Sequence, residues 1–157
     1  MSDTLPVRQH AVNLPRTRAG EELSRFVVQV FRLDGLLSAA GDALAAPAGQ
    51  TTARWRVLAA VEERPLSVAQ IARAWSFARQ SVQRVADLLE QDGLIAYEEN
   101  PGHRRAKLVR LTPRGRAALR RIQSEQRAWA NRLGKRIGAE KLERANAVLA
   151  RVIEAMK

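Results

Sequence analysis

The sequence predicts a mainly α fold: a winged helix-turn-helix on a helical dimerisation base built from the N- and C-terminal helices. Three observations predict it. Between Leu66 and Gly93 a short capped helix is followed within a few residues by a second helix rich in Arg and Gln. A basic two-strand hairpin comes next. Long helical patterns with wide apolar faces flank this unit on both sides. At 157 residues the chain suffices for one domain with a sizeable core, or for a small domain plus an oligomerisation arm.

Residues 1–18 carry Pro6, His10, Asn13 and Pro15 without periodicity and read as an N-terminal arm. A first helix is expected from Ala19 to Ala46, with Leu23, Phe26, Val27, Val30, Phe31, Leu33, Leu36, Leu37 and Leu44 on a broad apolar face. Pro47 and Gly49 end it. Thr51 or Thr52 can cap the next helix, Arg54 to Glu63, with Trp55, Val57, Leu58 and Val61 inward, and Arg64-Pro65 stops it. Residues 19–50 and 113–157 are thus assigned to a helical dimerisation region and residues 51–112 to the winged unit.

Within that unit, Ser67 with Gln70 three residues on is a capping-box signature, and Val68, Ile71 and Ala72 form the inner face of the helix it starts. Val82, Val85, Leu88 and Leu89 recur at three- and four-residue intervals in the second helix, which leaves Arg79, Gln80, Ser81, Gln83 and Arg84 for DNA. Asp92-Gly93 supplies a C-terminal turn. Leu94–Glu98 and Lys107–Leu111 alternate as strands, joined across Asn100-Pro101-Gly102 and the pair Arg104 and Arg105. A hairpin presenting Arg104, Arg105 and Lys107 beside a recognition helix is a wing. Thr112-Pro113 starts the next helix, expected to reach about Leu133, with Gly134 and Gly138 bracketing a break. The last helix, Ala139 to Met156, sets Leu142, Ala145, Leu149, Val152 and Ile153 on one side. Apolar faces at both ends, with nothing else in the chain to cover them, imply a homodimer, and a twofold dimer matches a palindromic site.

Charge points the same way. The 27 Lys and Arg against 16 Asp and Glu leave a formal +11, mostly from Arg, which implies a polyanionic partner such as double-stranded DNA. Asn100 to Arg121 holds eight Lys or Arg and no Asp or Glu. A non-specific architectural nucleic-acid binder would use the same charge. Gln80, Ser81 and Gln83 among the arginines argue against it, because neutral hydrogen-bonding side chains at a recognition-helix N-terminus read base edges.

Other classes find little support. The chain has no cysteine, which excludes disulfides and thiolate metal sites. Its two histidines, His10 and His103, have no paired metal-ligand spacing, and no Gly-rich phosphate loop is present. No catalytic residue, cofactor or metal is therefore expected. No run approaches eighteen apolar residues and the N-terminus lacks a basic-then-apolar signal, so no membrane partner and a cytoplasmic location are expected.

Four runs carry a resemblance: Thr51–Leu58 (TTARWRVL), Leu66–Ala72 (LSVAQIA), Ala78–Leu94 (ARQSVQRVADLLEQDGL) and His103–Gly115 (HRRAKLVRLTPRG). In order and spacing, over roughly residues 20–155, the chain resembles the MarR (multiple-antibiotic-resistance regulator) family of winged-helix transcription factors. The resemblance implies a dimer with a base made from both termini, a recognition helix in the major groove and a wing in the minor groove. It also implies repression relieved by a small aromatic or anionic effector, held between base and winged unit, with Phe31, Arg54, Trp55 and Arg116 as pocket residues. Phe31 and Trp55, at helical spacing, fit ordinary core better than a pocket wall, and Trp75 fits a buttress of the helix-turn-helix.

The sequence departs from the family pattern in two places. His103 stands where members usually carry an acid two positions before the wing arginine, here Arg105, so the wing lacks a fixed negative partner there. Ala78 and Ser76 stand where members tend to have a Ser cap on the recognition helix and a Gly in the preceding turn. The expectation is that Ser76 or a phosphate oxygen replaces the missing cap.

Overall fold

The computed structural model describes residues 15–102 and 106–157. Compact packing divides the chain after Leu37 into two units. The first contains most of helix α1, Arg18–Ala45, which Thr17 starts by accepting the Gly20 amide on its hydroxyl at 3.1 Å. Along this stretch Leu23, Val27, Val28, Phe31, Leu33, Leu36 and Leu37 all remain exposed.

The second unit begins within α1 and holds every other element. A 3-10 turn, Ala46–Ala48, leads to α2, Thr52–Ala60, which Thr51 caps by accepting the Arg54 amide. Strand β1, Leu66–Ser67, runs directly into α3, Val68–Ala74, through a complete capping box. The Gln70 amide donates to the Ser67 hydroxyl, and the Ser67 amide donates to Gln70 Oε1 at 2.8 Å. Helix α4, Arg79–Gln91, follows, then β2, Ile95–Glu98, and β3, Leu108–Leu111. The three strands form an antiparallel sheet in the order β1-β3-β2, with Leu66 opposite Val109 and Tyr97 opposite the same residue from the other side. Helices α5, Pro113–Ile137, and α6, Ala139–Ala155, complete the chain.

The core is the one that local patterning implies. Val57 and Leu58 of α2, Ile71 of α3, Val82, Ala86 and Leu89 of α4, and Ile95, Val109 and Leu111 of the sheet pack with Leu119 of α5. The start of α5 is pinned to the turn after α4. Thr112 donates its hydroxyl to the Gly93 carbonyl at 2.7 Å while accepting the Gly115 amide at 3.1 Å. A Cβ on Gly115 would lie 1.9 Å from the Leu94 carbonyl oxygen, so only glycine lets this first turn approach so closely.

Several expectations need correction. Leu88 is 47% exposed and Ala86 takes the core place beside Leu89, because about 100° per residue carries Leu88 round to the azimuth of Ser81. Gly134 lies inside α5 and only Gly138, at φ 96°, interrupts the C-terminal helices. Strand β1 was not expected: a two-residue strand has no periodicity to reveal it. Helix α2 begins at Thr52 and ends at Ala60, earlier than expected at both ends.

Candidate nucleic-acid interface

Helix α4 is held by both ends of its connections. Helix α3 closes with the Phe77 amide donating to the Ala72 carbonyl at 2.9 Å and the Ser76 amide to the Arg73 carbonyl at 3.3 Å, a Schellman pattern with Ser76 in the left-handed position at φ 54°. Helix α4 closes the same way, Leu94 to Leu89 at 2.9 Å and Gly93 to Glu90 at 2.8 Å, with Gly93 at φ 69°. Ser76 therefore terminates the preceding helix and does not cap α4. The N-cap position is Ala78, with no side-chain hydrogen bond, so the first amides of α4 stay available at its exposed end.

The structure divides the α4 residues among three directions. Gln80 and Arg84, one turn apart, are exposed away from the core. Arg79 and Gln83 instead line a concavity of about 410 Å³ that Tyr97 and Lys107 also line, so these two face the hairpin. Ser81 lies on the opposite flank, on the wall of a smaller recess of about 220 Å³ with Val82, Val85, Trp75 and Phe77. Ser81 is thus separated from the other four. Trp75 borders that recess but is 42% exposed, and the Arg56 guanidinium sits 5.2 Å from the Phe77 ring centroid.

On the hairpin, Lys107 is exposed at the edge of the concavity. Arg104, Arg105 and His103 lie outside the described residues. The cationic run is not wholly unpaired: Arg110 Nε donates to Glu98 Oε2 at 2.9 Å across β2 and β3.

Sequence reasoning missed a polar cluster that ties α4 to β2. The Tyr97 hydroxyl donates to Asp87 Oδ1 at 2.8 Å, and Gln83 Nε2 donates both to Asp87 Oδ1 and to the Tyr97 oxygen, each at 2.8 Å. Burial pushes the Tyr97 phenol well above its ordinary pKa, and the hydrogen bond to Asp87 and its charge push it the same way. The phenol thus stays neutral. The Gln83–Asp87 spacing of four residues was a legible signal; Tyr97, from another element, was not.

The four pocket candidates occupy different settings. Phe31 is 73% exposed on α1. Arg54 forms an ion pair with Asp92, reaches the Leu88 carbonyl at 3.4 Å, and leaves its buried Nε without a hydrogen-bond partner among the described residues. Trp55 is half-buried against the core, and Arg116 is exposed on α5. Among the described residues no group of three or more His, Cys, Asp or Glu is placed to hold a metal, and no helix is long and apolar enough to cross a membrane.

The model of the MarR family matches residues 48–106, from the end of the 3-10 turn to just short of β3. The chain belongs to the MarR family. A MarR winged helix accounts for the three-stranded sheet and for the placement of α3 and α4 against it. The chain is 40% identical over 137 residues to the uncharacterized protein Rv2011c of Mycobacterium tuberculosis, covering 87% of this chain and 96% of that one. Among solved structures it is similar to Sco5413, a MarR family transcriptional regulator of Streptomyces coelicolor (TM-score 0.75, 23% identity, 86% and 95% of the two chains). It is also similar to the M. tuberculosis transcriptional regulator MosR in complex with DNA (0.69, 23%, 83% and 97%). CouR of Rhodococcus jostii bound to p-coumaroyl-CoA shares the fold as well (0.71, 21%, 79% and 88%).

Proposed function

We propose that this chain is a sequence-specific transcriptional regulator, a repressor that binds a palindromic operator as a homodimer and leaves it on binding a small ligand. One observation carries the reading: Gln80 and Arg84 stand exposed on α4, with Arg79 and Gln83 on its adjoining flank beside Lys107 of the hairpin. An amphipathic helix presenting neutral and cationic hydrogen-bonding groups fits a major groove, where base edges carry a distinct donor and acceptor code. Arg104 and Arg105, which follow β2 and precede β3 in the sequence, are assigned to phosphate and minor groove respectively. Ser81, on the far flank of α4, is assigned to backbone contact.

The regulatory half of the proposal draws on the relatives. CouR, of the same fold, was solved with p-coumaroyl-CoA, an aromatic and anionic molecule. Arg54 supports a ligand of that class here, since its buried Nε has no hydrogen-bond partner among the described residues and can donate to an anion. Trp55 and Arg116, on the same unit as Arg54, complete the proposed pocket set. A ligand releases DNA only through a difference in its affinity for the two states of the dimer.

The formal +11 favours a second reading, a non-specific architectural binder. Selection from a random duplex library separates the two. A regulator yields a palindrome bound about a thousandfold or more tighter than random duplex at physiological salt. A ratio near one overturns the regulator in favour of the architectural protein.

A further inference from the structure

We propose that Arg54 sets the angle at which α4 meets DNA, by gripping the C-terminal end of that helix from α2. The inference rests on the reading of α4 as the groove-entering helix and adds to it a residue that acts from behind. Arg54 Nη2 makes an ion pair with Asp92, the C-cap residue of α4, and reaches the Leu88 carbonyl in the last turn at 3.4 Å. The Arg54 side chain is only 19% exposed, so little room is left for it to move.

Electrostatics gives the grip its sign. The C-terminal end of a helix carries partial negative charge, so a carboxylate there is unfavourable and a cation favourable. Asp92 sits at that end, and the Arg54 guanidinium offsets both its carboxylate and the helix dipole. The same turn is held from another element by Thr112, whose hydroxyl donates to the Gly93 carbonyl at 2.7 Å. The end of α4 is thus clamped between α2 and α5.

The geometry carries the grip to the reading residues. Val82, Ala86 and Leu89 anchor the middle of α4 in the core, which leaves rocking about that centre as the motion its ends can make. Gln80 precedes Ala86 by six residues. That is roughly 9 Å of helix, so a rock of about 10° carries Gln80 about 1.5 Å. Such a shift breaks a base contact, whose heavy atoms must meet within about 3.2 Å. Arg54 is therefore a positioning residue, and Asp92 is its handle on α4.

The test compares two DNAs bound by the full-length protein: the palindrome that wild type selects from a random duplex library, and a random duplex of equal length. Arg54→Gln and Asp92→Asn should each lower the ratio of the two affinities roughly tenfold, with the salt slope unchanged because no phosphate contact is lost. Asp92 is half exposed, so Asp92→Asn breaks the pair without opening the core. The double variant Arg54→Gln/Asp92→Asn keeps the wild-type net charge and leaves neither charge unpaired. Its ratio should fall by much less than the product of the two single losses. Equal losses on both duplexes overturn the inference, since they report a damaged fold or a lost phosphate contact. Single variants with the wild-type ratio overturn it too, as does a double variant whose loss equals the product. In each of these cases a selected palindrome still exists and the regulator reading survives; a wild type that selects no palindrome removes both.

Discussion

Ser76 shows how a single residue can depart from its family pattern while keeping the backbone the pattern requires. It occupies the left-handed region at φ 54°, the only non-glycine residue with positive φ among those described, and so fills the turn where the family tends to place glycine. The left-handed conformation costs an L-residue about 1–2 kcal/mol, against a glycine chain-entropy cost of about 0.5–1 kcal/mol. Ser76→Gly should therefore stabilise the protein by about 0.5–1 kcal/mol in urea denaturation at neutral pH. A loss of stability would mean that the serine side chain contributes something the turn needs. The departure at Ser76 is visible in the sequence, and its consequence is not: Ser76 or a phosphate oxygen is expected to replace the missing α4 cap, whereas Ser76 sits in the turn that closes α3 and makes no cap bond to α4.

Among the elements, those read correctly are those whose signals are local. The capping box at Ser67 and Gln70, the Thr112-Pro113 start and the Asp92-Gly93 stop each depend on residues within a few positions of one another, and each is present as expected. The parts that escaped are non-local. Strand β1 exists only because Leu66 and Ser67 find β3 some forty residues on, and the Gln83 cluster exists only because β2 brings Tyr97 to α4. A comparable non-local bond fastens the start of α2 to the end of α1, where Asp42 Oδ1 accepts the Thr52 amide at 2.7 Å. That amide, chiefly, holds the Asp42 carboxyl below its ordinary pKa. A depressed carboxylate pKa stabilises the fold above the unfolded-state value, about 3.9, and the contribution disappears as pH falls through the lower folded value. Asp42→Asn should accordingly melt below wild type at pH 7, and the gap should close as the pH is taken below about 4. A gap of constant size across that range would show that the charge on Asp42 is not what holds Thr52.

At the scale of the whole molecule, exposed apolar surface is what remains to be explained. On α1, Leu23, Val27, Val28, Phe31, Leu33, Leu36 and Leu37 are exposed, and so are Val148 and Ile153 on α6 and Met156 just past its end. Leu36 at 70% and Ile153 at 58% exposure are the kind of side chain whose full burial contributes about 1.5–3 kcal/mol each. A row of such residues along a helix is costly to leave in water and is rare on a monomer. The homodimer proposal covers both helices with a second copy, which also supplies the second recognition helix that a palindrome requires. Sedimentation at micromolar concentration should therefore give twice the 17.4 kDa chain mass. Leu36→Glu should shift the protein toward monomer, as should Ile153→Glu. Each buries a carboxylate in the proposed interface but places it in solvent on the isolated chain, so helix content by circular dichroism should survive in the monomer. The same variants should lose most of their affinity for a selected palindrome while retaining that for a single half-site. A wild-type monomer at these concentrations, or a Leu36→Glu dimer with unchanged dissociation, would remove α1 from the interface and leave its apolar row for another partner.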